Sequence, residues 1–109
     1  TNLAQLKGLV EQFVAERHWH SFHTPKNLAT SILIEAAELA EHFQWETAEQ
    51  TLALRGLVSF DSPIAQEMAD TLAYLLALAN VLDVDLSRAL QAKMVLNAIK
   101  YPVPDSSQA

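Results

Sequence analysis

Apolar residues recur at helical spacing along most of the chain. Leu3, Leu6, Leu9, Val10 and Phe13 follow one another at intervals of three and four, after Asn2 and Gln5 in capping-box spacing. This predicts a first helix ending near Glu16. The pattern breaks over residues 17–23 and resumes after Thr24-Pro25, an N-cap followed by a first-turn proline. A second helix is expected to run to about Trp45 with Leu28, Ile32, Leu39 and Phe43 inward. Residues 47–61 read as a connection holding a short helical turn near residues 48–54. Ser62-Pro63 repeats the cap-plus-proline signal and opens a third long helix through Glu67, Asp70 and Tyr74 to about Leu82. After a short turn, Asp85 or Ser87 caps a last helix through Leu90 and Met94 to about Lys100, stopped by Pro102 and Pro104.

These elements give one all-α domain over residues 1–104, followed by a tail over residues 105–109 that is expected to be disordered. The short connections favour antiparallel neighbours, so a four-helix-type bundle is the simplest architecture. Composition agrees with this class. Half of the 109 residues are hydrophobic, with only 2 glycines and 4 prolines. A chain this small with so many apolar residues would gain stability by assembling into an oligomer.

The net charge of −6 argues against binding a nucleic-acid polymer or an anionic membrane. The apolar run over residues 71–82 is too short to span a bilayer. With no cysteine there are neither disulfides nor thiolate metal ligands, and no secretory leader is visible, so a cytoplasmic location is expected.

The chemistry is concentrated in two copies of one spacing, Glu35-Ala-Ala-Glu38 and Glu67-Met-Ala-Asp70. Residues three apart share a helix face, so antiparallel packing of the two helices would bring four carboxylates to one groove. A single acidic pair on a helix is ordinarily a solvated face. Here both pairs sit inside apolar stretches with no lysine or arginine between Lys26 and Arg55 or between Arg55 and Arg88 to answer them, which calls for a cation. Oxygen-only ligation suits Mg²⁺, with Mn²⁺ as a substitute. A di-iron bundle would want histidine three residues after Glu38, where Glu41 stands, with His42 one position late.

Two further groups stand out. Lys93, Asn97 and Lys100 form one stripe on the last helix, followed by Tyr101; they are either ordinary helix C-terminal cations or ligands for phosphate oxygens. Trp19, His20, Phe22 and His23 cluster before the second helix and Trp45 lies at its far end. These aromatic side chains either plug a small core or stack on a flat base.

Taken together, the residues resemble a known family. Glu-x-x-Glu followed by Glu-x-x-Asp is the pattern of the all-α nucleoside triphosphate pyrophosphohydrolases, the MazG-like superfamily. Trp19 to His23, Thr24-Pro25-Lys26-Asn27-Leu28, Phe43-Gln44-Trp45, Lys93-Met94, Asn97 and Tyr101-Pro102 are similar to its dCTP pyrophosphatase branch. The resemblance implies Mg²⁺ on Glu35, Glu38, Glu67 and Asp70; among these acids we expect Glu38 to take the proton of the attacking water. It implies base and sugar contacts from Trp19, His23, Trp45 and Tyr74, and phosphate contacts from Lys93, Asn97 and Tyr101. It also implies hydrolysis of a deoxynucleoside triphosphate to monophosphate and pyrophosphate, by a homodimer or homotetramer with sites between subunits. Ala37 stands where relatives often carry glycine, and Ala98 and Ile99 where some carry arginine. The competing class is a non-catalytic nucleotide sensor or a partner-binding helical oligomer.

Overall fold

Each helix begins where a side chain can satisfy its free amide groups. The computed structural model describes residues 1–104 and holds α1 (Leu3–Glu16), α2 (Pro25–Glu41), α3 (Ala48–Leu52), α4 (Pro63–Leu82) and α5 (Leu86–Lys100), with no strand among the described residues. The expected disordered tail, residues 105–109, lies outside the described residues. Asn2 and Gln5 form the anticipated capping box at 2.8 and 2.9 Å. Thr24 and Ser62 accept from the Asn27 and Ala65 amides in front of their prolines, and Asp85, rather than Ser87, caps α5 through the Arg88 amide.

α2 ends at Glu41, four residues short of the end expected from its pattern. His42 and Phe43 donate their amides to Leu39 and Ala40, and Glu46 donates to Phe43, so the backbone tightens to three-residue bonds and turns away. Thr47 then caps α3. Trp45 therefore lies in a turn and is 87% exposed.

The main helix packing is α2 against α4 and α1 against α4. The C-terminal half of α2 lies beside the start of α4, with Phe43 near Ile64 and Met68, and Glu35 shares a cavity with Asp70, so the two helices are antiparallel. Val14, Leu28, Leu76, Ala77 and Ala79 form the buried core, with Leu28 only 1% exposed. Ile32, Leu39 and Phe43 are half-buried as expected, whereas Leu9 and Phe13 are exposed.

The expected bundle of four long helices is not what a single chain forms. α5 has no face packed on the other helices comparable to the α1–α4 and α2–α4 interfaces. Its apolar residues Leu90, Met94, Val95, Leu96 and Ile99 are spread around the helix circumference and are exposed, so no one stripe draws it onto the core. The radius of gyration is accordingly 17.4 Å, where a compact domain of this length would have about 13 Å.

Candidate metal centre and adjoining cavity

The antiparallel α2–α4 pair delivers three of the four anticipated acids to one point. One carboxylate oxygen from each of Glu35, Glu38 and Glu67 lies within 4.8 Å of the others. Glu35 and Glu67 are half-buried, and Oε2 of each is buried with no hydrogen-bond donor. No lysine, arginine or histidine forms an ion pair with the cluster among the described residues. Without a cation, the relief open to the cluster is a shared proton. Hydrogen bonding to Glu67, then burial, then the charge of Glu38 push the Glu35 carboxyl up to about 7. Unanswered oxygens in an all-oxygen donor set fit a hard divalent ion, so Glu35, Glu38 and Glu67 could hold Mg²⁺ or Mn²⁺.

Asp70, expected as the fourth acid, is not in this cluster. It lies one turn along α4 and lines a neighbouring cavity of about 210 Å³ together with Glu35, Trp19, His23 and Tyr74. The wall opposite is made by Val10, Phe13 and Val14 of α1. Sequence reasoning did not foresee this wall, because periodicity shows which face of a helix is apolar but not which helix it meets.

Local backbone chemistry places the aromatic side chains. α1 ends in a Schellman-type closure, in which His18 adopts left-handed φ 56°, its amide bonds Ala15 O and the Trp19 amide bonds Val14 O. The chain folds back there, setting Trp19 edge-on to Phe13 at 5.5 Å between ring centroids and tilted against His23 at 6.3 Å. Arg17 covers the other part of Phe13, with its guanidinium 3.6 Å from the ring centroid. Asn27 Nδ2 donates to Phe22 O at 3.0 Å and tethers the irregular stretch to α2. His23 keeps a buried Nδ1 without a partner at the cavity. His20 instead turns outward to Glu11, 2.6 Å away.

On the other side of the acids, Glu38 and Glu67 border an open groove with Glu41, His42 and Gln44. Glu41 continues the three-residue spacing from Glu38, and that spacing was the signal available for it.

The remaining anticipated site residues are not brought to the acids by this chain. Trp45 projects from the turn after α2 and lines neither space. Lys93, Asn97 and Tyr101 lie on or just after α5; Asn97 Nδ2 faces Met94 Sδ at 3.7 Å, and Lys100 Nζ sits 5.3 Å from the Tyr101 ring centroid.

The geometry is thus a carboxylate cluster able to hold a hard cation, opening onto an aromatic-walled pocket. Comparison with known proteins bears on the same region. Residues 30–109 match the MazG-like family. The chain is 39% identical over 101 residues to dCTP pyrophosphatase 1 of Rattus norvegicus, covering 93% of this chain and 59% of that protein. It is 38% identical over 100 residues to dCTP pyrophosphatase 1 of Homo sapiens, again spanning 59% of its length. A crystal structure of a pyrophosphatase from Archaeoglobus fulgidus superposes with a TM-score of 0.81 at 38% identity, covering 92% of each chain.

Proposed function

The chain belongs to the MazG-like family, and on that premise we propose that it is a Mg²⁺-dependent nucleoside triphosphate pyrophosphohydrolase. Its reaction is cleavage of a deoxynucleoside triphosphate, dCTP or a modified dCTP, to the monophosphate and pyrophosphate. The role would be to clear surplus or altered nucleotides from the cytoplasmic pool. The observation that carries this reading is the cluster of Glu35, Glu38 and Glu67, with two buried unanswered oxygens, beside the Trp19–His23–Tyr74 cavity.

In this reading Glu35, Glu38 and Glu67 would hold the cation, and Asp70 lines the adjoining cavity together with Glu35. When bound, Mg²⁺ supplies charge neutralisation for the triphosphate and acidifies a water molecule. Glu38 accepts the proton of the attacking water. Trp19 and Tyr74 embrace the base and sugar, and His23 offers its free Nδ1 to a polar edge of the base. Trp45 adds a further stacking face, while Lys93, Asn97 and Tyr101 bind phosphate oxygens.

The last four residues reach a substrate when a second copy of the chain contributes them. Support for assembly comes from surface that one chain leaves uncovered. The accessible area is 8680 Å², against about 6000 Å² for a folded monomer of this mass. Leu33 on α2 and Ile99 on α5 are 70% and 74% exposed. A homodimer or dimer of dimers would bury such faces.

The reading is tested by turnover of each of the four natural deoxynucleoside triphosphates, and of CTP, with Mg²⁺ present. dCTP is expected to be fastest. Equal rates for all bases would overturn the dCTP assignment, and nucleotide binding without any product would replace the enzyme with a sensor.

A further inference from the structure

Two side-chain hydrogen bonds join segments distant in sequence among the described residues, and both involve Lys7. Lys7 Nζ donates to Val84 O at 2.8 Å, and Asn80 Nδ2 donates to Lys7 O at 3.0 Å. They meet at the corner where α4 gives way to α5. There Asp83 takes left-handed φ 56° and the Val84 amide bonds back to Ala79 O at 2.9 Å, leaving the Val84 carbonyl turned toward α1. One residue later Asp85 caps α5.

This corner carries an unusual burden because α5 is not packed along its length on the core. Nor is the corner itself packed solid. A space of about 290 Å³ opens between Ala4 and Lys7 of α1 and residues 83–87. α4 has no basic residue in its last turn, and Lys7, reaching from α1, places a cation on the Val84 carbonyl two residues past its end. The helix that bears Lys7 also supplies Val10, Phe13 and Val14 to the aromatic cavity. A single pair of hydrogen bonds therefore ties the wall of the pocket to the base of α5.

We propose that Lys7 and Asn80 are positioning residues that set the direction in which α5 leaves the core, and hence where Lys93, Asn97 and Tyr101 meet the triphosphate. The inference rests on the reading of α5 as the phosphate-binding helix. Neither residue touches substrate. Loss of either bond leaves the acids and the cavity in place but misdirects the phosphate ligands.

The test compares Lys7→Met, Lys7→Arg, Asn80→Ala and Lys93→Ala for dCTP kinetics, deoxycytidine affinity and Mn²⁺ affinity. Lys7→Met is expected to raise KM for dCTP about tenfold, the equivalent of one charge-assisted hydrogen bond, and Asn80→Ala about fivefold, the equivalent of one neutral hydrogen bond. Deoxycytidine and Mn²⁺ affinities should be unchanged, and Lys7→Arg should restore KM to near the parent value. Unchanged KM in Lys7→Met and Asn80→Ala, with a raised KM in Lys93→Ala, would overturn the positioning role while leaving the phosphate reading of α5 intact. Unchanged KM in Lys93→Ala would overturn the phosphate reading, and the positioning role with it. Parallel loss of deoxycytidine, Mn²⁺ and dCTP binding in Lys7→Met and Asn80→Ala would show that the pair only holds the fold, and would also overturn it.

Discussion

Replacing Glu35 with glutamine should stabilise the protein and disable it together. The side chain keeps its size but loses the charge. Carboxylate oxygens of Glu35, Glu38 and Glu67 lie within 4.8 Å of one another; at that separation two unit charges repel by roughly 3.5 kcal/mol at an effective dielectric of about 20, and by under ~1 kcal/mol in water. Glu35 is half-buried, so the gain from removing its charge is placed at about 1–2 kcal/mol, between those limits. This corresponds to a rise in Tm of roughly 5–10 °C for a domain of this size. The sign depends on pH. The Glu35 carboxyl is raised from 4.5 to about 7 in the fold, so the folded state holds a proton that the unfolded chain releases between those values. Wild-type stability without divalent cation is therefore full below pH 4.5 and falls as pH rises toward 7, whereas Glu35→Gln lacks this slope. Thermal unfolding followed by circular dichroism, in EDTA at pH 5 and pH 8, should show the variant ahead at pH 8 and nearly level with wild type at pH 5. Saturating Mg²⁺ at pH 8 should raise the Tm of wild type strongly and of the variant little. Equal stabilities at both pH values, or equal Mg²⁺ shifts, would refute the reasoning that Glu35 is a charge held in waiting for a cation.

Glu38→Gln should reduce dCTP turnover by at least about a hundredfold while far-UV circular dichroism remains unchanged; near-normal turnover removes Glu38 from the essential set. Trp45→Ala should weaken nucleotide binding with little change in Tm, since the side chain is 87% exposed; a large fall in Tm with unchanged KM would make Trp45 a packing residue. Leu28→Ala, at the most deeply buried position, should cost about 2–5 kcal/mol in chemical denaturation, and a loss under ~1 kcal/mol would show that the core around Leu28 does not support the fold.

Helix beginnings were legible because each carries local chemistry. Asn2 with Gln5, Thr24-Pro25 and Ser62-Pro63 announce themselves through side chains that bond the next free amides, whatever the tertiary context, whereas Asp85 and Ser87 are equal alternatives in the sequence and only the Arg88 amide on Asp85 separates them. The end of α2 was not legible, because the stretch after Glu41 contains neither glycine nor proline and its turn is made by three-residue backbone bonds that any side chains permit. The acidic pairs pointed to a carboxylate cluster, and three of their four members, Glu35, Glu38 and Glu67, come together in the fold. They could not show that Asp70, one turn beyond Glu67, faces the aromatic cavity instead, because that depends on the relative rotation of α2 and α4. The separation of α5 was hidden for a similar reason. Leu90 and Met94 look like an inward face along the chain, yet only the folded arrangement shows that, among the described residues, they stay exposed and meet no helix interface comparable to those of α1 and α2 on α4. Lys7 and Asn80 gave no signal at all, since their partners are more than seventy residues away.

The central claim, that these carboxylates hold a cation which a nucleotide-cleaving reaction requires, is tested most directly by incubating the protein with dCTP in EDTA and in Mg²⁺ and separating the products. Formation of dCMP and pyrophosphate in equal amounts, only with Mg²⁺, is the expected result. Formation of dCDP and phosphate, or turnover that persists unchanged in EDTA, would contradict it.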